Sequence, residues 1–330
     1  MNRSLVSVAL VASLSLVGCS RDASVATTAD AVDRVPELPL VSLVDPAAVG
    51  ALHVDLARVQ SSPAYATATA WIDLLGEQGR GADDARFLTE ILRARDVIVF
   101  LTAPPNSEPR ATLLLRGRFT DENIDRITHQ SGLESADRSH GPFAVRDIGS
   151  DGSIGRIGGH TLVLGSRAEV DAALDRQLAG GSGRYPDGEA FRALARRVDF
   201  GSAPIGFAVV PTASMRDADL EEVSPLLAQL TAANGLAFSL DPSEGLRGRI
   251  AVDLASSLEA VGLTTLARMQ LGSIAADPDV VATGLSALLP FFELDRDGTT
   301  VIGSLDAPRD ATERALSTLD TFVRARASTP

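Results

Sequence analysis

The feature that most constrains the fold is an order of strands and helices that occurs twice along the chain. In each pass a strand and a helix precede two closely spaced strands, which a second helix, further strands and a final helix follow. Short connections join antiparallel neighbours, because a parallel neighbour requires a crossover of a dozen or more residues. The order therefore predicts an α+β fold with two pseudo-repeated units of mainly antiparallel sheet and helices packed on one face.

A sequence echo between the two passes supports this duplication. The strand that begins at Asp96 reads DVIVFLTAP, and the strand that begins at Asn234 reads NGLAFSLDP. Each leads into a second strand and then into a helix. A glycine-rich stretch at residues 180–183 lies between the passes. We therefore predict a first α+β unit over residues 40–183 and a second over residues 184–330.

The amino-terminal segment has the composition of an export signal. Arg3 and the terminal amine supply positive charge, and a run of Leu, Val, Ala and Ser follows from residue 5 to residue 17. A membrane-spanning helix needs about 20 apolar residues, so this run is too short for that role and has the length of a signal-peptide core. The chain's only cysteine, Cys19, comes directly after Gly18 at its end.

The segment Leu16-Val17-Gly18-Cys19 resembles the processing motif of bacterial lipoproteins, in which Leu, a small or aliphatic residue and Gly or Ala precede the cysteine. The resemblance covers only the leader. It implies removal of residues 1–18 as a signal peptide, a diacylglyceryl group on the sulfur of Cys19 and usually an acyl group on the new amino terminus. The resemblance thus implies that the protein is attached to a lipid bilayer through acyl chains on Cys19. In the family's sorting rule an Asp after the cysteine favours inner-membrane retention, so Ser20 favours the outer membrane.

Residues 19–39 are predicted to form a lipidated terminus and a flexible tether. They are rich in Ala, Asp, Thr and Val and lack helical or strand periodicity. By random-coil scaling, the part before Pro36 would hold the folded units roughly 20–25 Å from the lipid. With Cys19 acylated, no cysteine remains for a disulfide. The stability of the folded part must therefore come from its hydrophobic core.

The charge of the chain excludes several classes of function. The formal net charge is −13, which argues against nucleic acid as a partner and against electrostatic adhesion to anionic lipids. The sequence also contains no lysine. Phosphate-binding P-loops, Schiff-base enzymes and protein-kinase folds all need a lysine at a fixed place, so none of these classes fits. We predict no cofactor.

No catalytic or metal-binding residues are predicted. His53 and Asp55 lie on one side of a predicted strand, but no third ligand has a suitable spacing, so a polar strand face is the better interpretation. The other histidines, His129, His140 and His160, show no joint pattern. The glycines of residues 149–159 precede a strand and not a helix, which is typical of turns rather than of a dinucleotide loop. The sequence from Asp295 to Gly298 resembles the start of a calcium loop, but its Asp-Gly pair between two strands predicts a hairpin turn.

These observations favour a membrane-anchored envelope lipoprotein with a non-enzymatic structural or protein-interaction role, for which another envelope protein is the candidate partner. One alternative is a carrier or chaperone for an apolar ligand in the periplasm. The helices predicted at Leu258–Leu271 and Pro278–Leu289 would line its site, although we expect them to be core helices. A second alternative is a carboxylate-dependent hydrolase, which an acidic chain leaves open. Aromatic residues make up only 4% of the chain, which disfavours a sugar-binding cleft.

Overall fold

A computed structural model describes residues 37–67, 91–104, 109–130, 134–181, 185–186, 188–212 and 233–327. The strands are β1 (Gly50–Val54), β2 (Ala94–Thr102), β3 (Arg110–Gly117), β4 (Ser135–His140), β5 (Phe143–Ile148), β6 (Gly152–Ile157), β7 (Thr161–Ser166), β8 (Ile205–Val209), β9 (Gly235–Asp241), β10 (Gly245–Asp253), β11 (Phe292–Asp297) and β12 (Thr300–Pro308). The α-helices are α1 (Leu56–Val59), α2 (Asp121–Gln130), α3 (Arg167–Leu178), α4 (Glu189–Arg197), α5 (Ser257–Ala276), α6 (Pro278–Thr283) and α7 (Arg309–Ala327). Two 3₁₀ helices cover Leu40–Leu43 and Leu285–Phe291.

The 12 strands form one sheet in the order β11-β12-β10-β9-β8-β1-β2-β3-β7-β6-β5-β4. Every described pairing is antiparallel. Strands from both predicted units therefore belong to a single sheet. Strand β1 of the first unit pairs with β8 of the second, from Gly50 opposite Val209 to Val54 opposite Ile205. The predicted α+β class with a mainly antiparallel sheet is confirmed.

Helices cover both faces of this sheet, so the prediction that they pack on one face is wrong. Neighbouring residues of a strand point to opposite faces. On the front face, Leu114 of β3 belongs to the same buried cluster as residues of α3 and α4. On the back face, the adjacent Leu115 belongs to a cluster with residues of α1 and α2. Uninterrupted apolar runs such as the sequence VIVF in β2 fit this arrangement, because a strand buried on both faces needs apolar residues at consecutive positions.

The two halves of the sheet differ in how their front faces are covered. The 3₁₀ helix Leu40–Leu43 and helix α3 pack on the front face of the half that contains β1–β7, whereas α4 packs on the front face of β8, β9 and β10 in the other half. In the other half, α5 and α7 pack on the back face, through clusters that contain Val252 and Ala307 respectively. Polar side chains occupy the front face of β9, β10 and β12 in that half, among them Asp241, Arg247 and Arg249.

Several predictions fall outside the described residues. The leader with Leu16, Val17, Gly18 and Cys19 does so, as does Ser20. The sequence also predicts helices at residues 63–78, 84–93 and 218–232; the third of these and most of the first two are likewise outside. Acylation of Cys19 therefore remains a prediction from the sequence.

Candidate functional site

Helix α5 is an apolar helix that lies largely on the surface. Its 20 residues include only two charged side chains, Glu259 and Arg268, and only Ala260 and Thr264 are buried. Leu258 is 80% exposed and Met269 is 65% exposed. A helix that is apolar all round is normally buried inside a protein or a membrane. The expectation that these helices belong to the core is therefore wrong for most of α5.

The exposed apolar residues continue from α5 into the segments that follow it. They are Leu258, Val261, Met269 and Ile274 of α5, Val281 of α6 and Leu285 of the next 3₁₀ helix. We call this set the apolar helical surface. Single exposed apolar residues are common on proteins, but six on consecutive helical segments are typical of a contact site.

The sequence determines where α5 begins and ends. Ser256 caps its amino terminus, since the Ser256 hydroxyl accepts a hydrogen bond from the backbone N–H of Glu259 at 3.2 Å. The Glu259 carboxylate in turn accepts one from the backbone N–H of Ala255 at 3.1 Å, which ties the residue before the cap to the first turn of the helix. At the other end, Asp277 has extended backbone angles and Pro278 begins α6. Proline is favoured in the first turn of a helix, so the chain turns here and starts a new helix.

A glycine sets the path of the chain after α6. Gly284 has φ of 77°, a left-handed conformation that favours glycine. A Cβ at this position would lie 2.6 Å from Cβ of Thr318 in α7. Gly284 thus ends α6 and allows close contact with α7. The single helix predicted at Pro278–Leu289 is for this reason two shorter helices.

The inner side of α5 packs on the back face of the sheet. Ala260 and Leu263 belong to a cluster with Val252 and Leu254 at the end of β10 and with Val301 of β12. The guanidinium of Arg268 donates a hydrogen bond of 2.8 Å to the carbonyl of Leu294. These contacts fix the helix on the sheet, and they leave its outer side uncovered.

His53 pairs with a different carboxylate from the one considered in the sequence. Its Nε2 lies 2.8 Å from Oδ1 of Asp96 in the neighbouring strand β2. Asp55 instead caps α1 by accepting a hydrogen bond of 3.1 Å from the backbone N–H of Arg58. In the described parts of the chain, no three His, Cys, Asp or Glu side chains come together as a set of metal ligands.

The other histidines do not converge on a site either. His140 lies with its Nε2 2.8 Å from Asp175, and His160 donates its backbone N–H to Glu37 at 3.2 Å. The side chain of His129 is outside the described residues.

Both glycine-containing segments form turns, as predicted. Gly149 and Gly158 adopt φ of 60° and 56° in the connections β5–β6 and β6–β7. Asp297 pairs with Thr300 across the hairpin β11–β12, and Gly298 at its tip has φ of 61°. Left-handed glycines at such positions are characteristic of hairpin turns.

An ionic network joins α3 to the edge of the sheet. Oδ1 of Asp147 in β5 accepts hydrogen bonds from Nε of Arg138 at 2.9 Å and from the hydroxyl of Ser153 at 2.5 Å. Its Oδ2 lies 2.9 Å from the guanidinium of Arg167, and Arg138 also donates to Asp171 of α3 at 2.7 Å. Burial raises the pKa of Asp147, but the hydrogen bonds from Ser153 and Arg138 and the charge of Arg167 outweigh it and hold that pKa below its ordinary value. These groups meet one another's hydrogen-bonding and charge requirements, which is typical of a network with a structural role.

None of the described helices combines the length and apolar content that a membrane crossing requires.

No protein-family model matches the chain, and no curated protein shows significant similarity to it. Among solved structures, the chain is similar to crystal form III of TP0453, with a TM-score of 0.51 and 12% sequence identity over 86% of this chain and 99% of that chain. Crystal forms I and IV of TP0453 match with TM-scores of 0.45 and 0.46, also at 12% identity. At this level of identity the similarity to form III concerns the fold alone.

Proposed function

We propose that the protein is a lipid-anchored lipoprotein of the bacterial envelope that acts, without catalysis, by docking to another envelope protein. The anchor is Cys19, acylated after cleavage that follows Leu16-Val17-Gly18, and Ser20 directs the protein to the outer membrane. The docking site is the apolar helical surface. The observation that carries this proposal is the exposure of α5, whose composition is that of a buried helix.

A protein partner suits the apolar helical surface better than a bilayer surface does. Helices that lie on membranes have one apolar and one polar side, and the polar side is rich in Lys and Arg. Helix α5 has a single basic residue, Arg268, and its apolar residues are distributed around its axis. The centres of protein interfaces contain few charged residues and are enriched in Met. Helix α5 likewise has only two charged residues among its 20, and it exposes Met269.

The packing beneath α5 supports a contact surface rather than the lid of a carrier. Ala260 and Leu263 contact strand residues such as Val252 directly. A lid over an enclosed ligand would keep a cavity between helix and sheet.

The order of the strands supports our further proposal that the two units descend from one duplicated unit. Counted outward from the central β1–β8 pair, the order is β1-β2-β3-β7-β6 on one side and β8-β9-β10-β12-β11 on the other. Strands β2 and β9, which carry the sequence echo, occupy equivalent places. The first unit has an additional hairpin, β4–β5, at its outer edge.

Photocrosslinking in intact cells tests the docking proposal. A photoreactive amino acid replaces Met269 in the chain with its own leader. A second chain carries it at Arg314 of α7, a position of similar exposure outside the apolar helical surface. We expect a discrete protein adduct from position 269 and none from position 314. Leu258→Asp in the same chain should abolish the adduct and leave the fold intact, because Leu258 is 80% exposed.

Two results contradict the proposal. One is the same set of adducts from both positions, which indicates random collision. The other is an adduct at position 269 with the mass of a phospholipid, which indicates that the surface contacts the bilayer instead.

A further inference from the structure

We propose that a groove beside α4 binds a small dissolved anion with an apolar body, such as an aromatic carboxylate or sulfonate. The groove lies on the front face between α4 and the 3₁₀ helix Leu40–Leu43 and has a volume of about 660 Å³. This volume is in the range of small-molecule sites. The site is separate from the apolar helical surface, so this proposal can be tested independently of the proposed function.

The floor of the groove is apolar and partly open to solvent. Val41, Tyr185, Ala195 and Phe200 pack against the front-face core but are only partly buried. The ring of Phe200 is edge-on to Tyr185 at 4.8 Å between centroids. Phe191 is also edge-on to Phe200, at 5.7 Å. Interlocked rings of this kind give a preformed apolar wall for a ligand.

A close approach to the backbone holds the aromatic wall in place. The ring of Phe200 lies over Gly206 of β8, where a Cβ would be 2.9 Å from Cδ2 of the ring.

Burial, and then the charge of Asp96, raise the pKa of Tyr185. Tyr185 therefore stays neutral at physiological pH and adds no negative charge to the wall.

Two arginines line the groove and have no described acidic partner. Arg192 and Arg196 are one turn apart on the exposed side of α4. No carboxylate among the described residues lies within ion-pair distance of either one. The adjacent Arg197 differs, because it pairs with Asp297 at 2.5 Å. Asp199, which also lines the groove, is neutralised by Arg249 at 2.8 Å.

The chemistry of the ligand follows from this combination of groups. Guanidinium groups bind carboxylate, sulfonate and phosphate through paired, charge-assisted hydrogen bonds. The apolar floor requires a ring system or short alkyl body next to that anionic group. In a chain with net charge −13, two cations that have no acidic partner among the described residues, beside an apolar groove, favour an anionic ligand over a neutral one.

A pair of dyes that differ in one charged group tests the proposal. The anion 8-anilinonaphthalene-1-sulfonate and the neutral N-phenyl-1-naphthylamine share the same ring system. Both are titrated by fluorescence into the folded chain, into R192Q/R196Q and into the control R309Q/R314Q, which removes two charges from the exposed side of α7. Dye bound to the apolar helical surface is common to all three proteins and cancels in the comparison.

We expect the affinity for the sulfonate to fall about tenfold or more in R192Q/R196Q and to stay within about twofold in the control. The affinity for the neutral dye should stay within about twofold in every variant. Equal sulfonate affinity in R192Q/R196Q and R309Q/R314Q overturns the proposal. An equal loss of both dyes in R192Q/R196Q also overturns it, because the arginines would then shape the groove without recognising charge. Far-UV circular dichroism verifies that each variant is folded.

Discussion

Replacing Asp147 with asparagine is expected to lower the free energy of unfolding by about 2–3 kcal/mol at pH 7. The Asp147 side chain is 11% exposed, and its partner Arg138 is 24% exposed. A hydrogen bond to a charged group at such a site contributes about 1.5–3 kcal/mol. The contact with Arg167, whose side chain is 51% exposed, adds less than about 1 kcal/mol. Asparagine keeps an oxygen for Ser153, so that bond is not part of the loss.

The effect should depend on pH in a defined direction. The pKa of Asp147 is lower in the folded protein than its unfolded value of about 3.9. A carboxyl of this kind stabilises the fold above its unfolded pKa, and this contribution disappears as the pH falls through the folded pKa. The difference between wild type and Asp147→Asn should therefore be complete at pH 7 and should shrink below about pH 4.

Urea unfolding followed by far-UV circular dichroism at pH 7, 5 and 3.5 measures both effects. Asp175→Asn is the matched control, because Asp175 is 65% exposed and pairs only with His140 among the described residues. It should cost less than about 0.5 kcal/mol. The reasoning is refuted if Asp147→Asn costs no more than this control at pH 7, or if its cost is the same at pH 3.5.

Two further substitutions test the local structure around the apolar helical surface. Gly284→Ala should destabilise the protein by about 1–3 kcal/mol in urea unfolding, because it forces a side chain into a left-handed conformation and against Thr318. A stability equal to that of wild type would show that α6 and α7 are not in this close contact. Ser256→Ala should cost about 1 kcal/mol through loss of the cap on α5, whereas Ser256→Asp, which can also cap, should cost much less. Equal losses for the two changes would exclude capping as the reason.

The fold class could be predicted from the sequence, because turn residues and short connections carry most of that information. The hairpin at Asp297-Gly298 and the serine cap of α3 at Ser166 both have local signals, and both occur in the structure. Strand β4 was not predicted. Its sequence, SADRSH, contains no apolar side chain larger than Ala136, and the strand is held by backbone bonds to β5 and by ion pairs such as Arg138–Asp147.

The position of the helices required tertiary information that the sequence holds only in part. The consecutive leucines 113–115 in β3 indicate burial on both faces, a signal that the prediction of helices on one face overlooked. Exposure of α5 had no comparable signal, because an apolar helix has the same composition whether a core or a partner covers it. The groove beside α4 likewise depends on residues far apart in sequence, such as Val41 and Phe200.

The most direct test of the account is the mass of the amino-terminal peptide of the mature protein. Protein purified from its native membrane is digested, and the terminal peptide is analysed by mass spectrometry, with the Cys19→Ala chain as control. The account predicts a peptide that begins at Cys19 and carries a diacylglyceryl group on its sulfur, and no lipid on the control chain. An unmodified Cys19 sulfur, or a mature terminus at any other residue, would contradict the account.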